Sequence, residues 1–220
     1  MVLVFDLDDT LYDETTYVKS GFRAVAKFLR EHFSVNEIKV FNELMNELKN
    51  GRGSIFDTVL KNHSLYSKKL VRKCVTVYRL HKPDIELSSE GKKCLERLKK
   101  YPLYIVTDGN KIVQYNKIKA LKLDRLVKQY YITHRFGVHN AKPSTYCFMK
   151  ICEREKVNPD QVVYIADNIN KDFVGIKPLG FKTIQVMTGQ YTSLKKEKKY
   201  HAGLKIKSLD ELTDKLIATL

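Results

Sequence analysis

The chain has 220 residues, 43% of them hydrophobic and 30% charged, a composition that excludes a disordered chain and suits one sizeable core, or a core with a smaller insertion. No apolar run approaches the ~20 residues of a membrane span, and Val2–Phe5 is too short, and lacks a basic flank, for a signal peptide. Forty Lys and Arg against 25 Asp and Glu leave a net charge of +15, which attracts anionic partners in general.

The first element is the strongest. Val2-Leu3-Val4-Phe5 is a short apolar run, as in a strand buried on both faces, and it ends abruptly in Asp6-Leu7-Asp8-Asp9-Thr10. Helical spacing then persists for about seventy residues. Val18, Phe22, Val25, Ala26 and Leu29 mark one helix, and Ile38, Phe41, Leu44, Met45 and Leu48 a second. Asn50-Gly51-Arg52-Gly53 interrupts as a turn, further helical stretches follow, and His81-Lys82-Pro83-Asp84 closes the segment. Residues 15–85 therefore read as a helical domain inserted after the first strand, with 1–14 and 86–220 forming the main domain.

From Leu87 onward helices and strands alternate. Helices are expected at Ser89–Lys100, Ile112–Leu121 and Ser144–Glu155, and strands at Leu103–Val106, Tyr130–Thr133, Val162–Ala166 and Phe181–Val186. Ser208-Leu209-Asp210-Glu211 has capping-box spacing and is expected to open a C-terminal helix. Such alternation implies an α/β fold: a Rossmann-like, doubly wound parallel sheet with right-handed crossovers.

Three of these strands end in polar clusters: Asp6/Asp8/Thr10, Thr107/Asp108/Gly109/Asn110 and Asp167/Asn168/Asp172. In a parallel sheet those ends share one edge, where such folds build their ligand crevices. Clustered carboxylates repel one another unless a cation or proton intervenes, and oxygen ligands suit a hard ion such as Mg²⁺. A hydroxyl, loop amides and Lys142, in the loop before a helix, suit the remaining oxygens of a phosphate.

Together, Asp6-Leu7-Asp8-Asp9-Thr10, Thr107-Asp108-Gly109, Lys142-Pro143 and Asp167-Asn168 with Asp172 resemble the four motifs of the haloacid dehalogenase-like hydrolase superfamily. The resemblance spans essentially the whole chain, and the helical insertion resembles that superfamily's first-type cap. It implies that Asp6 is a nucleophile forming an aspartyl-phosphate, and that Asp8 is general acid, then general base, kept protonated by its neighbour carboxylate. It implies a Mg²⁺ ion held by Asp6, the Asp8 carbonyl and Asp167. Thr107, Asp108, Gly109 and Lys142 then hold the phosphoryl group, with Thr10, Asn168 and Asp172 in support. The second acid, Asp8, is absent from members that displace halide from carbon, which argues for a phosphatase. Ala166 stands where relatives have glycine, a change that matters only if φ there must be positive.

The expected reaction is hydrolysis of a small phosphomonoester: a nucleotide, a sugar phosphate or a phosphorylated acid. A phosphomutase on the same scaffold and a non-catalytic nucleic-acid-binding relative are the alternatives. The lysines are spread along the chain without aromatic interleaving, so solvated helix faces account for most of them and nucleic acid is not expected as a partner. Cys74, Cys94, Cys147 and Cys152 form no CxxC pair and read as reduced thiols of a cytoplasmic protein, monomeric or homodimeric. Arg52, between two glycines, is a candidate for binding the non-reacting part of the substrate.

Overall fold

Strand β1 (Val2–Phe5) lies at the centre of a six-stranded sheet in the computed structural model, which describes residues Met1–Leu220. The other strands are β2 (Leu103–Thr107), β3 (Gln129–Ile132), β4 (Val162–Ala166), β5 (Lys182–Val186) and β6 (Leu204–Ile206). Their order is β3-β2-β1-β4-β5-β6, and every neighbouring pair is parallel. Both immediate neighbours of β1 are buried along their whole length, as β1 is, so all three read as unbroken apolar runs. At the edges, β3 opens on exposed Gln129 and β6 exposes Lys205, a charge of the kind that discourages pairing with another sheet.

The chain steps outward from β1 through β2 to β3, then returns to β4 on the far side of β1. The order reverses between β1 and β4, the point at which open α/β sheets leave a crevice at their carboxyl ends. Phe5 pairs with Ile165 there, and the next residues on β1 and β4 lead into Asp6 and Asp167.

The chain divides into two compact units, 1–14 with 86–220 and 15–85. In the sheet unit, α5 (Ser89–Arg97), α6 (Lys111–Ala120), α7 (Tyr146–Glu155) and the short α8 (Asp214–Ala218) accompany the strands, and one face of the sheet packs Val4, Tyr104 and Tyr164 against Phe148, Ile151 and Phe173. Ser88 caps α5 by accepting from the Gly91 amide at 2.9 Å, and Asn110 caps α6 through the amides of Ile112 and Val113. The Ser88 amide in turn donates to the Leu11 carbonyl at 3.0 Å, and a Cβ on Gly91 would meet that carbonyl oxygen at 2.6 Å.

The helical unit comprises nearly all of α1 (Glu14–Phe33), with α2 (Glu37–Glu47), α3 (Ile55–Asn62) and α4 (Lys68–Leu80). Val18, Phe22, Val25 and Leu29 of α1 share a core with Val40 and Leu44 of α2, Val59 and Leu60 of α3, and Cys74 of α4. Asn36 and Ser67 cap α2 and α4 through the Lys39 and Leu70 amides. No helix is long and apolar enough to cross a membrane.

The C-terminal end departs from the sequence reading at two points. Ser208 and Glu211 do not open an α-helix; they bracket a single 3₁₀ turn, Leu209–Glu211, and α8 begins only after Thr213, whose hydroxyl accepts from the Leu216 amide. Glu211 reaches back to the Lys207 amide at 2.8 Å and not to the Ser208 amide, so the spacing is present without the reciprocal box. Strand β6 was not expected, because three residues with a lysine in the middle give too little pattern to register.

Candidate active site

Asp6 follows β1 directly, its amide donating to the Ile165 carbonyl of β4 at 2.9 Å. Its carboxylate is buried and accepts from Lys142 Nζ at 2.8 Å. The same ammonium donates to the Tyr164 hydroxyl and pairs with Asp172, each at 2.8 Å, while the Tyr164 hydroxyl donates to Asp172 at 3.1 Å. The second Asp172 oxygen accepts from the Asn168 amide at 3.0 Å, and Asn168 Oδ1 accepts from the Asn170 amide. Asp167 completes the group: one carboxylate oxygen from each of Asp6, Asp167 and Asp172 lies within 4.8 Å of the other two.

The electrostatics of this cluster are unbalanced. Burial pushes Asp6 up to about 7 against the pull of Lys142, with Asp172 pushing in the same direction as burial. Burial, then Asp6 and Asp172, push Asp167 up to about 9. Asp167 Oδ2 is buried and makes no hydrogen bond. Three buried carboxyls around one ammonium, one of them with an orphaned oxygen, fit a divalent cation, and the all-oxygen donor set selects a hard one such as Mg²⁺. Gln185 of β5 backs the position by donating to the Asp167 carbonyl at 3.2 Å.

Lys142 holds the buried acids apart. Exchanging it for methionine leaves Asp6 and Asp172 buried without the ammonium between them, a loss expected to cost about 3–5 kcal/mol. Urea unfolding of Lys142→Met in metal-free buffer measures it; a difference below about 1 kcal/mol, the worth of an ordinary surface pair, would mean that the acids are neutral there without Lys142.

A second group forms where β2 ends. Asp108 is clamped by three loops: one oxygen accepts from Thr133 Oγ1 at 2.8 Å and the Lys142 amide at 3.0 Å, the other from Lys171 Nζ at 2.8 Å. Although burial opposes it, Lys142 and Lys171 hold this carboxyl below the usual carboxylate range. Its side chain staples the turn, and Gly109, at φ 133°, completes it in a conformation that favours glycine. The Lys142-Pro143 loop is packed just as closely: a Cβ on Gly175 would stand 1.9 Å from the Pro143 carbonyl oxygen, so only glycine fits there.

Asp8 differs from its expected state. Its carboxylate accepts from Lys117 Nζ at 2.7 Å, Gln114 Nε2 at 2.7 Å and the Tyr12 hydroxyl at 2.5 Å. Burial alone would raise this carboxyl, but Lys117, with the hydrogen bonds of Tyr12 and Gln114, outweighs it and holds Asp8 below the usual range. The expectation that a neighbouring carboxylate keeps Asp8 protonated is therefore corrected: the nearest charge to it is a cation. Asp9, the third acid of the run, serves the turn, taking φ 54° and accepting from the Glu14 amide at 2.9 Å while its carbonyl accepts from Thr188 Oγ1. Thr10 is buried and its hydroxyl makes no hydrogen bond. Ala166 lies inside β4 with ordinary backbone, so its methyl group carries no strain.

The structure thus brings Asp6, Lys142, Asp167, Asn168 and Asp172 into one cluster, and joins Asp8 to the Thr107–Gly109 turn through Gln114. Arg52 lies in the helical unit, exposed in the turn between α2 and α3. Tyr164, Lys171, Gln185, Gln114, Lys117, Tyr12 and Thr133 are participants that the motifs do not reveal.

Comparison with known proteins bears on this arrangement. The family model described as "Haloacid dehalogenase-like hydrolase" matches residues 3–186. A protein of Pyrococcus furiosus named glyceraldehyde 3-phosphate phosphatase is 32% identical over 98% of this chain and 92% of its own length. One of the same name from Pyrococcus abyssi is 31% identical over 86% of this chain and 82% of its own. Among solved structures, magnesium-bound YfnB from Bacillus subtilis, titled a HAD-hydrolase, superimposes with a TM-score of 0.66 at 20% identity, covering 96% of each chain.

Proposed function

The chain belongs to the haloacid dehalogenase-like hydrolase family, and from that premise we propose that it hydrolyses glyceraldehyde 3-phosphate or a similarly small phosphomonoester through a phosphorylated Asp6. It is a phosphatase of that family. The observation that carries the mechanistic reading is the buried Asp6–Lys142–Asp172 group beside the orphaned Asp167 oxygen. A carboxylate, a cation and an unpartnered ligand atom meet there, at the reversal point of the sheet. The name shared by the two Pyrococcus relatives supports the substrate class and favours hydrolysis over a mutase.

The chemistry follows from the residues. An Asp6 oxygen attacks phosphorus and the bond from phosphorus to the substrate oxygen breaks, that oxygen taking a proton from Asp8. Water then attacks the phosphoryl group, gives its proton to Asp8 and releases Asp6 as a carboxylate with inorganic phosphate. Asp8 as found, ionised and held by Lys117, is set for this second half. A bound dianionic phosphate raises the pKa of a carboxyl beside it, so the acid form arises with substrate in place. Asp6, the Asp8 carbonyl and Asp167 would hold a Mg²⁺ ion, which would supply charge neutralisation between the two anions. Thr107, the amides of Asp108 and Gly109, and Lys142 hold the phosphoryl oxygens. Thr10, Asn168 and Asp172 support them, Asp172 by orienting Lys142.

Phosphate release over a panel of nucleotides, sugar phosphates and phosphorylated acids tests the substrate. Glyceraldehyde 3-phosphate is expected to have the highest kcat/KM, and a nucleotide turned over tenfold better would overturn the assignment. The proposal also keeps Arg52 as a contact to the non-reacting part of the substrate. On that basis Arg52→Ala should lose about tenfold on the best substrate, the worth of a charged hydrogen bond. A small aryl phosphate should be unaffected, and equal effects on both would return Arg52 to the solvent.

A further inference from the structure

On the inward face of α6, Gln114 and Lys117 are each only 2% exposed, and one turn later on the same face stand Ile118 and Leu121, both buried. A helix that merely needed to pack against the sheet would carry apolar residues at 114 and 117 as well. Burying an amide and an ammonium costs desolvation that must be recovered through specific partners.

Both find such partners in the site. Lys117 Nζ donates to Asp8 Oδ1 at 2.7 Å and lies 3.6 Å from a Glu14 oxygen. Gln114 Nε2 lies 2.7 Å from Asp8 Oδ2, 3.0 Å from Thr107 Oγ1 and 2.5 Å from the Asp108 carbonyl. Lys117, beside the Tyr12 hydroxyl, thus takes one Asp8 oxygen and Gln114 the other, so the carboxylate is held at both oxygens. The same Gln114 amide ties it to the turn assigned to the phosphoryl oxygens. A Cβ on Gly109 would stand 3.2 Å from Gln114 Nε2, so the glycine also leaves room for this contact.

We propose that Gln114 and Lys117 are positioning residues that fix the Asp8 carboxylate, by one contact to each oxygen, at a set distance from the phosphate-binding turn. The proposal rests on the role given to Asp8 above. Both act through Asp8 and neither is assigned a contact with the substrate. Their contribution is to keep proton donor and phosphoryl group in register, where a shift of about 1 Å costs on the order of 10²-fold.

The dependence of rate on the leaving group isolates this contribution. Through the first step the Asp6–phosphorus bond forms and the bond from phosphorus to the leaving oxygen breaks. An alkyl phosphate then needs a proton on its leaving oxygen, whereas acetyl phosphate releases acetate as an anion. Because kcat/KM reports only the steps through this transfer, it is to be measured for glycerol phosphate and acetyl phosphate with wild type, Lys117→Met, Gln114→Leu and Asp8→Asn. Gln114→Leu removes no charge, so it serves if Lys117→Met does not fold, as judged by circular dichroism.

Losses of about 10- to 100-fold on glycerol phosphate, with less than about threefold on acetyl phosphate, are expected for both α6 variants. Equal losses on the two substrates, or none on glycerol phosphate, would overturn the proposal. Asp8→Asn separates the two levels of failure. If it shows the selectivity and the α6 variants do not, the positioning fails alone. If Asp8→Asn loses equally on both substrates, the role of Asp8 falls and takes the proposal with it.

Discussion

Asp6→Asn is expected to lower phosphate release by roughly 10⁴-fold or more, the scale seen when a covalent nucleophile is removed. Asparagine keeps the shape of the side chain but presents no oxygen able to displace the substrate oxygen from phosphorus. The loss should occur without unfolding. Lys142 retains its 2.8 Å pairing with Asp172 and its contact with the Tyr164 hydroxyl, so no buried cation is left alone. The pH dependence has a definite sign. The folded protein holds the Asp6 proton up to about 7, whereas an unfolded chain releases it near the ordinary value of 3.8. Ionisation of Asp6 therefore erodes stability as the pH climbs from about 4 to about 7, and loss is complete above that window. The asparagine variant lacks this erosion. In metal-free buffer above pH 7 its melting temperature should equal or exceed that of the wild type. Turnover within tenfold of wild type from a well-folded Asp6→Asn preparation would sink the assignment.

Exhaustive chelation is expected to abolish activity, Mg²⁺ to restore it, and Ca²⁺ to substitute poorly, because its larger and looser coordination sphere misplaces the attacking oxygen. The ion is also expected to act on stability. With Asp6 and Asp167 oxygens within 4.8 Å of each other, the folded chain presents ligands together that the unfolded chain does not. At a hundredfold excess over Kd the stabilisation is about 2.7 kcal/mol, or roughly 5–10 °C in Tm for a chain of this size. Binding must displace a proton from Asp167, which holds it up to about 9, so the Tm gain at fixed Mg²⁺ should grow from pH 6 to pH 9. Full activity after chelation, or a Tm indifferent to Mg²⁺, would remove the ion from the mechanism.

What the chain shows before folding is the part written in short, ordered patterns. β1 and its acids are legible because a strand buried on both faces has no polar residue until its end, and polarity then appears all at once. The same contrast exposes Thr107 and Asp167. Tyr164 stays hidden because it sits within the apolar run of β4, where a tyrosine reads as bulk, and only the fold places its hydroxyl between Lys142 and Asp172. Lys117 and Gln114 are hidden for the opposite reason: in a lysine-rich chain, polar residues on a helix read as its solvated side. A signal was nonetheless present, since 114, 117, 118 and 121 share one face and the last two are apolar. The state of Asp8 could not be read from its neighbours in sequence, because the cation beside it comes from α6, 109 residues away.

Where the chain leaves the sheet unit after Glu14 and rejoins it at Glu86, the two connecting segments are already fastened together, Ser88 to the Leu11 carbonyl, with Gly91 closed against that oxygen. A gap pinned shut at its base is a natural graft point. The sheet unit is expected to tolerate a different module spliced between these residues, or a short glycine-serine bridge in its place, because closing the junction requires no reach from the insert. On the roles proposed above, with the reacting atoms in the sheet unit and Arg52 in the helical one, chemistry and selectivity are expected to be exchangeable as separate cassettes.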